Sequence, residues 1–69
     1  MLSGTIDTFD VDKGFGFIKL DNSNEKIFVY YTAIQNGDFK TITPGQVVHF
    51  LIMEGKKGPQ AVNVELANI

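Results

Sequence analysis

Sixty-nine residues with eight carboxylates, six lysines and no arginine carry a net charge of −2, which fits one small domain over residues 1–69 and excludes a partner held by bulk positive charge. A chain of this length buries only about 60% of the surface its unfolded form exposes, so a stability of a few kcal/mol is expected. The absence of cysteine excludes disulfides and thiolate metal sites, and Met1-Leu2-Ser3-Gly4 leads into no apolar run, so a soluble, cytoplasmic protein with no membrane contact is expected.

Over Leu2 to Val11, Leu2, Gly4 and Ile6 alternate with Ser3, Thr5 and Asp7, the pattern of a half-buried strand. Asp10-Val11-Asp12-Lys13-Gly14 carries turn chemistry and is short enough to make a hairpin into the next strand. Asp10 and Asp12 also resemble the start of a calcium loop. That loop needs Gly at its sixth position and Glu at its twelfth, where this chain has Phe15 and Asp21, so no metal is expected.

Lys13-Gly14-Phe15-Gly16-Phe17-Ile18 follows, with two large rings at alternate positions and glycines before and between them. Successive side chains of a strand point to opposite faces, so Phe15 and Phe17 share one face with Lys19, while Gly16, Ile18 and Leu20 share the other. The aliphatic face reads as interior, which leaves the rings outside, where they suit a partner that stacks. The competing reading is a strand facing a second sheet, with Gly16 marking a close backbone approach. A phosphate cradle is disfavoured, because the third glycine of a dinucleotide fingerprint is missing and no Gly-Lys-Ser/Thr triplet is present.

Asp21-Asn22-Ser23-Asn24-Glu25 is a polar connection, and Ile27-Phe28-Val29-Tyr30-Tyr31 is a third strand with Ile27 and Val29 inward and Phe28 and Tyr30 outward. A meander of these three strands would make Phe15, Phe17, Phe28 and Tyr30 cross-strand neighbours on one continuous platform. The opposite faces are already apolar and so small a domain lacks the mass to cover both, which favours a binding surface over a second core.

Thr32-Ala33-Ile34 fits one helical turn, and Gln35 to Gly45 is a long connection in which Phe39 either tucks onto the barrel or reaches toward a ligand. Gln46 to Glu54 is a fourth strand, with Val48, Phe50 and Ile52 on one face and Val47, His49, Leu51 and Met53 on the other. Gly55 to Pro59 is a turn, and Gln60 to Leu66 a fifth strand. Five short strands without a long helix predict an all-β fold, a small five-stranded antiparallel barrel of the OB type, with an SH3-like barrel as the second reading.

Taken together, Lys13-Gly14-Phe15-Gly16-Phe17-Ile18 and Ile27-Phe28-Val29-Tyr30-Tyr31-Thr32-Ala33-Ile34 resemble the two ribonucleoprotein motifs of the bacterial cold-shock protein family. The resemblance runs on through Phe39-Lys40-Thr41, Gly45-Gln46 and Gly58-Pro59-Gln60-Ala61-Val62-Asn63-Val64. It implies a five-stranded OB-type barrel that binds single-stranded RNA and DNA and acts as an RNA chaperone. A monomer with no cofactor, no metal and no small-molecule substrate is expected. Matched by position, the family's contact residues fall on Lys13, Phe15, Phe17, Phe28, Tyr31, Phe39 and Lys57, with Tyr30 where a histidine is usual. The first strand departs from the pattern: the family's Lys-Trp-Phe-Asn is replaced by Asp7-Thr8-Phe9-Asp10, which removes a cation and a stacking ring and adds two carboxylates.

The reading from another class is a diverged barrel that has lost nucleic-acid binding and serves as a protein-interaction module, motivated by the acidic first strand and the negative net charge. No enzyme is expected. Ser3 and His49 supply residue types that a triad needs, but a single mid-strand histidine reads as a half-exposed strand residue.

Overall fold

Period-two alternation governs most of the chain, and five strands follow it in the computed structural model, which describes residues 1–35, 42–56 and 58–67. They are β1 (Leu2–Asp10), β2 (Phe15–Leu20), β3 (Lys26–Tyr30), β4 (Val47–Gly55) and β5 (Gly58–Leu66), with a 3-10 turn at Tyr31–Ala33 after β3. The strands close into a barrel in the order β1-β2-β3-β5-β4. Four of the five neighbouring pairs are antiparallel; the fifth, β3 against β5, is parallel, with Phe28 opposite Gln60. The expected antiparallel barrel is thus present with one parallel seam. The cause is arithmetic: strand directions that alternate around a closed ring of five must repeat once.

Among the described residues, the fully buried core is aliphatic apart from Phe50. Ile6, Ile18, Ile27, Val29, Ile34, Ile42, Val48, Phe50, Ala61 and Val64 are buried, and Phe9, Leu20, Ala33 and Leu66 pack against them. Ile18, Ile27 and Val29 face inward as alternation requires. Ile52 does not join Val48 and Phe50 inside: it lies opposite buried Ala61 yet remains 36% exposed.

Two register shifts interrupt the alternation. Between Ile6 and Thr8 the pairing with β2 slips by one residue at Asp7, so Thr8 comes to lie opposite Phe17 on the outer face and Phe9 turns inward opposite Gly16. A Cβ on Gly16 would collide with the Thr8 carbonyl oxygen and stand 2.8 Å from the Phe9 ring, so the close approach at Gly16 is made by β1 of the same barrel rather than by a second sheet. The second shift lies between His49 and Leu51 on β4, opposite Asn63. Asn63 has φ +52°, a conformation asparagine accepts more readily than most residues, and the added residue lets Ala61 and Val64 both point inward although three positions apart.

Asp10 closes the β1–β2 turn. Its Oδ1 accepts from the amides of Asp12 (3.0 Å) and Lys13 (3.1 Å), and its carbonyl accepts from the amide of Gly14 (2.7 Å). Gly14, at φ +77°, then presents its own carbonyl to the amide of Tyr31 at 2.8 Å. A side chain there would strike the Tyr31 ring at 2.8 Å. The first hairpin is thereby locked to the start of the 3-10 turn.

Candidate nucleic-acid interface

The same register that buries Ile18, Ile27 and Val29 sends the alternate residues of β2 and β3 outward. Phe15 pairs with Tyr30 and Phe17 with Phe28, so four rings from two strands meet on one face of the barrel. Phe17 is 36% exposed and Tyr30 41%, while Phe15 and Phe28 are half-buried. Phe28 is the hub. Its ring lies 5.5 Å from Phe15 at 29°, 5.7 Å from Phe17 at 74° and 4.8 Å from Tyr30 at 87°, and Phe15 meets Tyr30 at 6.5 Å and 67°.

The cluster is therefore contiguous but not one flat plane. Phe15 and Phe28 are near parallel, and Phe17 and Tyr30 stand upright against them, because the quadrupole of an aromatic ring favours edge-to-face contact with a neighbour. The surface offers exposed ring faces in more than one orientation. Tyr31 adds a fifth ring, 46% exposed and seated over Gly14.

Local charge is mixed. Lys13 is exposed on the β1–β2 turn beside the rings. Asp10 lies opposite Phe15, so a carboxylate sits at the same margin. Thr8, opposite Phe17, occupies the end of the ring row on β1 and is exposed. Asp7 pairs with Lys26 at 3.1 Å. Phe39 and Lys57, both expected at the site, lie outside the described residues.

Sequence reasoning missed two side chains that the barrel closure brings to the rings. Phe28, Tyr30, Lys56 and Gln60 line a cleft of about 240 Å³, because the parallel seam sets Gln60 of β5 against Phe28 of β3. No local signal in the sequence announces that contact. The Gly58-Pro59-Gln60 string carries it only through the family resemblance. Among the described residues, no three His, Asp or Glu side chains are grouped to hold a metal ion, and no helix is long and apolar enough to cross a membrane.

A closed five-stranded barrel in the order β1-β2-β3-β5-β4 is the OB-type architecture, here with its rings displayed outside. Residues 2–67 match the sequence profile described as the 'Cold-shock' DNA-binding domain, and the chain belongs to the cold-shock domain family. It is 46% identical to the cold shock protein CspV of Vibrio cholerae over 91% of this chain and 90% of that one. It is 47% identical to the major cold shock protein of Streptococcus pyogenes over 93% of this chain and 94% of that one. Among solved structures, the Drosophila Unr fragment CSD456 superposes with a TM-score of 0.80 at 21% identity, covering 97% of this chain and 26% of that one, a likeness of fold.

Proposed function

We propose that the chain is a single-stranded nucleic-acid-binding protein that works as a cytoplasmic, monomeric RNA chaperone by stacking unpaired bases on its outer aromatic face. The observation that carries this reading is the meeting of Phe15, Phe17, Phe28 and Tyr30 in one exterior cluster, with Tyr31 beside it. Each base stacked on an aromatic side chain is worth about 1 to 3 kcal/mol whatever its identity. A strand of a few nucleotides thus gains affinity without its base edges being read. Lys13, Lys57 and Phe39 complete the contact set, with the two lysines on backbone phosphates.

A hairpin pays for unpairing whenever its bases move to the rings, so the protein shifts RNA toward open forms by binding alone, and no nucleotide hydrolysis enters. Net charge −2 keeps nonspecific attraction low and leaves stacking as the main source of affinity.

The test is a titration with a short oligothymidine at two salt concentrations, followed by tyrosine fluorescence and amide chemical shifts, with Phe15→Ala as control. Shifts centred on β2 and β3, and a loss of affinity in Phe15→Ala, are expected. No binding by the wild-type chain at low salt would refute the reading and favour the diverged, protein-binding alternative.

A further inference from the structure

Lys19 and Lys26 face each other directly across the β2–β3 ladder, one pair beyond Phe17 and Phe28 on the same outer face. Two residues along a strand is about 7 Å, so both stems start within reach of a phosphate attached to a base stacked on Phe17. Like charges placed directly opposite in a sheet repel, and a sequence that keeps two such lysines beside exposed rings carries local positive charge that the net charge conceals.

Only Lys26 is answered. Its ammonium meets the Asp7 carboxylate at 3.1 Å, while Lys19 makes no ion pair among the described residues, including with Asp21 in the turn after its own strand. Asp7 belongs to β1 and Lys26 to β3, so their bridge spans the outer side of β2, between the positions of Phe17 and Lys19. The register slip beside Ile6 places Asp7 there. Both partners are partly exposed, with 55% and 32% of their side-chain surfaces accessible, so solvent screens the bridge and a phosphate can compete for the lysine.

We propose that Lys19 and Lys26 form a phosphate-contacting flank of the aromatic face, opposite the Lys13 turn, and that Asp7 restrains this flank by occupying Lys26 until a nucleic-acid phosphate displaces it. The proposal rests on the aromatic face being the binding surface. Asp7 is then an internal competitor that weakens binding most at low salt, where its own pair with Lys26 is least screened, and so flattens the salt dependence that the two lysines confer.

The experiment measures the affinity of oligothymidine against salt concentration for the full chain and for Lys19→Gln, Lys26→Gln, Asp7→Asn, the double variant Asp7→Asn with Lys26→Gln, and Phe17→Ala. Glu65→Gln, which makes the same change in net charge at a position paired with His49, serves as the charge control. Lys19→Gln is expected to reduce the slope of log affinity against log salt by about 0.7, the value of one phosphate contact on a single strand. Asp7→Asn is expected to tighten binding about three- to tenfold at low salt, beyond any gain in Glu65→Gln, and that gain should vanish in the double variant. If Phe17→Ala weakens binding while the lysine variants leave slope and affinity unchanged, the flank is refuted and the aromatic reading stands. If the gain in Asp7→Asn survives loss of Lys26 or is matched by Glu65→Gln, the competitor role is refuted. Absence of wild-type binding at low salt refutes the flank together with the aromatic reading.

Discussion

The two faces of β2 and β3 are built from residues that alternate in sequence yet obey different rules. Inside, Ile18, Ile27 and Val29 are branched aliphatics without measurable exposure, packed against other strands of the barrel. Outside, Phe15, Phe17, Phe28 and Tyr30 are flat rings that touch mainly each other and leave area open to solvent. Burial explains the first set completely. It does not explain the second, since soluble proteins rarely leave contiguous apolar rings in water without a use for them. The contrast teaches that in β2 and β3 the largest hydrophobic side chains lie on the surface, and the inward faces of these two strands are filled by smaller ones.

Adjacent residues break this comparison most sharply. Ile18→Ala removes a fully buried branched side chain and is expected to cost about 2 to 5 kcal/mol, enough to unfold much of so small a domain. Urea denaturation followed by circular dichroism reads the loss. Phe17→Ala, one residue earlier on the opposite face, should lower oligothymidine affinity by about 1 to 3 kcal/mol while costing far less stability than Ile18→Ala. Equal destabilisation by both would mean that the outer ring is structural.

The remaining substitutions sharpen the contrast by extending the outer face toward β1. Thr8→Trp adds a ring at the β1 end of the row, opposite Phe17, and should tighten binding by about 1 kcal/mol, the low end of a stacked base, as read by the same titration. Asp10→Asn has the smallest expected effect. The amide oxygen of asparagine can still accept from Asp12 and Lys13, so the melting temperature should barely move, while removal of a carboxylate beside Phe15 should raise affinity about twofold at low salt and less at high salt.

Alternation alone placed Ile18, Ile27 and Val29 inside and Phe15, Phe17, Phe28 and Tyr30 outside, and the register agrees at each of these positions. Those assignments were legible because β2 and β3 are short and unbroken, so period two holds from end to end. Phe9, Ala61 and Val64 were not legible in the same way. Their faces depend on extra residues at Asp7 and Asn63, and a bulge is fixed by the partner strand rather than by its own sequence. The parallel seam and the Lys56–Gln60 side of the cleft escaped for the related reason that barrel closure is a long-range event. The Asp7–Lys26 bridge escaped because it joins two strands that are not neighbours.

The division of labour along the chain has a consequence for synthesis. Every described ring of the outer cluster lies within residues 15–31, while β4 and β5, which cover Ile18, Ile27 and Val29, lie within residues 47–66. A nascent polypeptide leaving the ribosome presents the outer rings well before the strands that close the barrel beneath them. A fragment ending at residue 35 would hold all five rings without the strands of β4 and β5 that complete the barrel beneath them.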